Sequence, residues 1–185
     1  MSDLPKEILA ETKFLRMIQA GHWTYVQRPN TTGAIAIVAL TDNREIILVK
    51  QHRIPVDRTV IELPAGLVGD LDEHADESLI TAAERELVEE TGYHATNIQV
   101  LFDGVSSAGL TDERIHLVLA TGLSKVSDGG GDATEDISVH VVSLDNVDAW
   151  INAQRQLGCD VDFKVFAGLY YVRTCRKPCV QQNRF

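Results

Sequence analysis

An α/β sandwich is the fold that this sequence predicts, on three observations. Apolar, β-branched runs fill the first third of the chain; residues 76–91 switch to helical spacing; further apolar runs then lead into two helical patterns near the end. Strands on both sides of one central helix, followed by terminal helices, bury their apolar faces most simply as stacked layers. At 185 residues the chain forms one domain or a domain with a small appendage, with enough length to bury a core unaided by disulfides.

The elements follow in order. Residues 14–28 read as extended with a turn at Ala20-Gly21, whereas residues 4–17 fit a short helix equally well. Residues 32–40 (TGAIAIVAL) and 45–49 (EIILV) read as buried strands, and the turn-forming Thr41-Asp42-Asn43 between them predicts a hairpin. In residues 76–91, Ile80, Ala83 and Leu87 recur at helical spacing, Asp76 can cap the start, and Gly92 stands where a left-handed C-terminal cap belongs. Strands are expected at 98–102, 115–120 and 137–142, with Gly129-Gly130-Gly131 as a loop between the last two. Helices are expected at 146–156 and 163–174, and residues 177–185 read as an exposed tail.

Composition narrows the function classes. Hydrophobic residues are 44% and charged residues 24%, the balance of a folded globular chain. With 17 Lys and Arg against 27 Asp and Glu, the net charge is −10, which disfavours a nucleic-acid polymer or an anionic membrane surface as partner. No apolar run approaches 18 residues, and the first 20 residues carry Asp3, Lys6, Glu7, Glu11, Lys13 and Arg16 where a signal peptide needs an apolar core. Cys159, Cys175 and Cys179 are odd in number and late, so a reducing cytoplasm is the expected setting.

The chemistry concentrates in residues 77–93, ESLITAAERELVEETGY. Glu86, Glu89 and Glu90 stand at i, i+3 and i+4 and share one helix face, away from the apolar stripe. Like charges so placed weaken an isolated helix, so the cluster is understood either as a solvated acidic face or as hard oxygen ligands for a divalent cation, Mg²⁺ rather than zinc. The full string decides between them. Glu77, seven residues, then Arg85-Glu86-Leu87-x-Glu89-Glu90-x-Gly92-Tyr93 resembles the signature helix of the Nudix hydrolases, which cleave nucleoside diphosphates linked to another moiety. Six fixed positions at roughly 7% each match a random window with a probability on the order of 10⁻⁷. One departure stands out: the family's Gly lies six residues before the first Glu, whereas the counterpart here, Gly66, lies eleven before Glu77. Five extra residues therefore enlarge the loop that enters the helix.

The resemblance extends over residues 23–169. Val49-Lys50-Gln51-His52-Arg53 followed by Ile61-Glu62-Leu63-Pro64-Ala65-Gly66 is similar to the ADP-ribose pyrophosphatase branch, as are Ala108-Gly109-Leu110-Thr111-Asp112-Glu113, with Ala108 in place of the usual Pro, and Glu135-Asp136-Ile137. It implies an α/β/α sandwich with a mixed central sheet, an N-terminal β arm over residues 1–32 that dimerises, a catalytic domain over 33–175 and a tail over 176–185. It further implies Mg²⁺, with Mn²⁺ as a substitute, held by Glu86, Glu90 and the carbonyl of Ala65, with Glu89 as ligand or water contact and Arg85 holding a helix carboxylate. Glu135 is the first choice for the late base or second-metal ligand, with Asp132, Asp136 and Glu113 as alternatives. The substrate-side candidates are Trp23, Arg28, Arg53, Glu62, Gly109 and Glu113. Trp23 serves either as a purine-stacking or as a core or interface aromatic, and Arg53 either contacts phosphate or pairs with Glu62.

Other signals carry less. The six histidines are scattered without an i, i+4 pair, Cys175-x-x-x-Cys179 has no second pair for zinc, and neither a nucleophile elbow nor a Walker loop is present. Two functions follow from the resemblance: a Mg²⁺-dependent hydrolase of ADP-ribose, another nucleoside diphosphate sugar or a dinucleotide, giving a nucleoside monophosphate and a sugar phosphate; or a Nudix-fold module that binds such a nucleotide as a regulatory ligand.

Overall fold

A strand has two edges, and how these residues use theirs sets the architecture. The computed structural model describes residues 4–69, 77–131 and 136–174. Asp76, Asp132, Glu135, Cys175, Cys179 and the tail lie outside them. The arm is a three-stranded antiparallel sheet of β1 (Lys6–Glu11), β2 (Arg16–Ala20) and β3 (Trp23–Gln27), so residues 4–17 take the extended reading and not the helical one. Next come β4 (Gly33–Ala39), β5 (Glu45–Arg53), β6 (Arg58–Glu62) and β7 (Ala65–Val68), then the helix α1 (Leu79–Thr91). The long strands β8 (Tyr93–Val105) and β9 (Arg114–Lys125) precede β10 (Ser138–Ser143), α2 (Val147–Gln156), β11 (Asp160–Val161) and α3 (Phe163–Thr174).

The hairpin expected from residues 32–49 does not form. β4 pairs with β7 and, in parallel, with β9, while β5 pairs with β10 and β6, so each strand's two edges are already taken. A single bridge, Leu40 to Ile46, links them across the turn. The result is two mixed four-stranded sheets, ordered β7-β4-β9-β8 and β10-β5-β6-β11, the second mixed through the parallel pair β6 and β11.

Both sheets feed both cores, which places helices on either side. Ile35, Ile37 and Ala39 of β4 and Ile47 of β5 pack with Ala82, Ala83 and Leu87 of α1. Ala36 and Val38 of β4 and Ile46 and Leu48 of β5 pack on the other side with Val147 and Ile151 of α2 and Val165 and Leu169 of α3. Alternate residues of one strand thus serve opposite cores, which is why these strands read as unbroken apolar runs. This is an α/β/α sandwich.

Local signals set the helix that matters most. Ser78, and not Asp76, caps α1, its hydroxyl accepting the Thr81 N–H at 3.1 Å. Gly92 ends it in the left-handed conformation (φ 74°), donating its N–H to Val88. The arm is tied to the loop between β8 and β9: the Val26 N–H donates to Leu110 O at 2.8 Å, Gln27 Nε2 to Asp112 at 2.6 Å and Arg28 Nε to Glu113 at 2.7 Å.

Candidate active site

The turn between β6 and β7 lies under the acidic face of α1. The Ile37 N–H holds the Pro64 carbonyl at 2.7 Å, and β7 pairs Ala65 with Ala36 and Gly66 with Ile35, so the turn is fixed from the sheet side. From the helix side Glu90 reaches down, its Oε2 accepting the Ala65 N–H at 3.1 Å. Glu90 is only 4% exposed. The face that carries Glu86, Glu89 and Glu90 is therefore largely covered, because β7 packs across it; of the three only Glu89 remains open. Glu86 lies directly against Gly66, where a Cβ would sit 2.0 Å from the Glu86 Cδ. Glycine is required there by space and not by backbone angle.

Arg85 organises the cluster. Its Nη1 pairs with Glu86 at 2.9 Å and Glu89 at 3.1 Å, and its Nη2 pairs with Glu77 at 2.9 Å. Partial burial works against the guanidinium charge, but the hydrogen bonds and charges of Glu77 and Glu86 outweigh it, and its pKa is raised above the ordinary arginine value. Glu77, nearly fully buried, also accepts the Gly69 N–H at 3.3 Å. Sequence reasoning counted Glu77 in the signature without giving it a task; its place just ahead of the helix cap was the available signal.

The glycine loop closes the far end of α1. The Gly130 N–H donates to the Glu90 carbonyl at 2.8 Å, the Gly131 N–H to that of Glu89 at 3.1 Å, and the Val126 N–H to that of Gly92 at 2.8 Å. Carbonyls that a helix end leaves unsatisfied are thereby paired. A Cβ on Gly129 would fall 2.4 Å from the backbone of Thr91, so the approach tolerates no side chain.

Hard oxygen donors at this turn suit Mg²⁺ in kind. Among the described residues no three His, Cys, Asp or Glu side chains already converge on one metal-sized position. Glu86 and Glu90 with the Ala65 carbonyl would have to make up the protein's share, leaving positions for water and phosphate. Glu135 lies outside the described residues, and Asp136 is exposed.

A cleft of about 960 Å³ reaches Glu62, two positions ahead of Pro64, and is lined by Arg53 and Glu62, by Phe102, Gly104 and Ile115 of the β8–β9 hairpin, and by Phe163 and Phe166 of α3, with no residue of α1 in its wall. Of the two readings of Arg53, the pair is formed: its Nε donates to the buried Glu62 at 2.8 Å. The other guanidinium nitrogens leave donors for a ligand. Arg28 and Glu113 meet each other, while Gly109 stands with open space around it. Trp23 is 51% exposed, with an edge-on contact to His22, so it is not a core residue.

A model of the NUDIX domain matches residues 30–159. The chain belongs to the Nudix family. Among its relatives, the Methanol dehydrogenase activator of Bacillus methanolicus is 36% identical over 124 residues, covering 66% of this chain and 64% of that protein. The ADP-ribose pyrophosphatase of Bacillus subtilis (strain 168) is 41% identical over 117 residues, covering 63% of this chain and 60% of that protein. The matches thus span less than two thirds of either relative. A solved structure described as an ADP compounds hydrolase superposes with a TM-score of 0.68 at 22% identity, covering 92% of this chain and 90% of that one, and shares the fold.

Proposed function

We propose that this Nudix chain hydrolyses the diphosphate bond of ADP-ribose or a related nucleoside diphosphate sugar with Mg²⁺, releasing a nucleoside monophosphate and a sugar phosphate. The observation that carries the reading is the convergence of Glu86 and Glu90 on the Ala65-Gly66 turn beside a cleft with an arginine at its wall. The relative named ADP-ribose pyrophosphatase supports the substrate class. Bound there, Mg²⁺ would neutralise diphosphate oxygens and lower the pKa of an attacking water. Arg85 holds Glu86 and Glu89 in place through its ion pairs, and Arg53, braced by Glu62, faces the diphosphate. The attacking water gives its proton to a base, for which Glu135 is the first choice, with second-metal ligand as its other role, while the P–O bond to the bridging oxygen breaks. A screen of ADP-ribose, GDP-mannose and dinucleotides, run with Mg²⁺ and again with chelator, tests this; no metal-dependent release of monophosphate from any of them would sink it.

The relative named Methanol dehydrogenase activator favours a second reading, a nucleotide-binding activator of another enzyme. Tight ADP-ribose binding with no turnover would select it.

Gly66→Ala separates metal geometry from folding. The clashing atoms are the end of the flexible Glu86 side chain, and the backbone is not left-handed, so the fold should survive while Glu86 is pushed aside. The Mg²⁺ concentration for half activity should rise about tenfold or more, with Mn²⁺ affinity by calorimetry falling in step. Unchanged Mn²⁺ affinity would take Glu86 out of the metal site.

The arm over residues 1–32 is proposed to form a homodimer and to complete the partner's nucleotide site. It exposes Leu4, Ile8, Leu9, Phe14, Leu15, Met17 and Trp23, more apolar surface than an uncovered arm should present. Deleting residues 1–28 should give a monomer with KM raised about tenfold or more, the loss of an anchoring aromatic and arginine. Sedimentation of the full chain as a monomer that turns over ADP-ribose efficiently would refute the arrangement. No helix among the described residues is long and apolar enough to cross a membrane; a cytoplasmic setting is proposed on the odd cysteine count, Cys159 being a free thiol.

A further inference from the structure

Nine arginines lie among the described residues, and seven of them, Arg16, Arg28, Arg44, Arg53, Arg85, Arg114 and Arg173, each have a carboxylate within 4.0 Å. The two without one among those residues, Arg58 and Arg155, border the same recess. In a chain of net charge −10 this is the reverse of what acid abundance would produce. The recess, about 620 Å³, lies where the last turn of α2 meets the start of β6. Asn152, Arg155 and Gln156 stand at i, i+3 and i+4 of α2, so two amides flank one guanidinium on a single face. Asp160 is the one acid in the lining, against two arginines.

The recess is continuous with the large cleft. Arg155 and Asp160 line both. Arg58 stands opposite Arg53 across the β5–β6 ladder and four positions along β6 from Glu62, about 13 Å at the rise of a strand, which is the reach of a nucleoside extending from a diphosphate held at the Glu62 end of the strand, to which the Arg53 side chain runs. Unpaired guanidiniums at that distance match a dianionic group, since each can give two parallel N–H donors to phosphate oxygens.

We infer that Arg58 and Arg155 form a subsite for a phosphate monoester at the outer end of the cleft, so that the chain prefers a nucleotide bearing such a group over its unphosphorylated counterpart. The inference rests on the cleft being the nucleotide site, as proposed above. It is tested without turnover: calorimetric affinities for AMP, adenosine 2′,5′-bisphosphate and adenosine 3′,5′-bisphosphate are compared in the full-length protein. At least one bisphosphate should bind tenfold or more tightly than AMP, and Arg58→Ala and Arg155→Ala, each with a normal melting curve, should bring the ratio towards one. Equal affinities in the unaltered protein, or a ratio that survives both substitutions, overturn the subsite. Inorganic phosphate titrated alone separates the sources: if it binds through the two arginines without displacing the bisphosphate, the recess is a free-anion site and the inference fails. ADP-ribose hydrolysis with no bisphosphate preference rejects the subsite alone, whereas the preference without hydrolysis rejects the hydrolase reading alone.

Discussion

Glu90→Gln is expected to lower turnover of ADP-ribose by about two to three decades while the fold and its melting temperature stay intact. The carboxylate is buried on the Ala65 N–H at 3.1 Å, and a glutamine amide oxygen in the same place still accepts that hydrogen bond. What disappears is one negative charge beside the ion. A loss of about 3 to 4 kcal/mol in stabilising the transition state corresponds to that rate change. Stability should hold or rise slightly, because Glu86, Glu89 and Glu90 share one face of the last turns of α1, and Arg85 pairs with Glu86 and Glu89 as well as with Glu77 ahead of the helix. Kinetics at saturating Mg²⁺ together with thermal unfolding in chelator make the check. Near wild-type turnover with an unaltered melting curve would remove Glu90 from the metal site.

Glu135→Gln carries the second large effect, and its form distinguishes two chemistries. Gly131 is tied to the end of α1 through the Glu89 carbonyl, and residue 135 follows four positions later, within about 14 Å of extended chain. The carboxylate face of α1 is therefore inside its reach. As the general base, its loss should lower kcat by about two to four decades at unchanged Mg²⁺ dependence. As a second-metal ligand, its loss should be reversed by raising Mg²⁺. A variant that hydrolyses ADP-ribose like the parent would make Glu135 a surface acid and send the search to Glu113, Asp132 or Asp136. Of these, Glu113 is already engaged with Arg28 at 2.7 Å.

Periodicity is local information, and everything that rests on it alone was legible in the chain. The spacing of Ile80, Ala83 and Leu87 with Gly92 behind them specified α1 and its end, and residues 163–174 specified α3, because a helix closes its own hydrogen bonds within four residues. The signature string likewise identified Glu86, Glu89 and Glu90 as one face. Burial of that face was a different matter. It depends on β7 lying across the helix, and β7 is held by β4, thirty residues earlier. The same holds for the missing hairpin: residues 32–49 contain two strands and a turn, but whether they pair is decided by β7, β9, β6 and β10 competing for their edges. Arg28 meets Glu113 across 85 positions, and Arg58 shares a recess with Arg155 across a comparable separation. Such pairs leave no periodic trace, since each member looks like an ordinary surface charge until the sheets bring the segments together. The sequence alone thus determined which carboxylates share the helix face; the tertiary structure decided which of them is buried, which glycine must stay bare and which arginines have no carboxylate partner among the described residues.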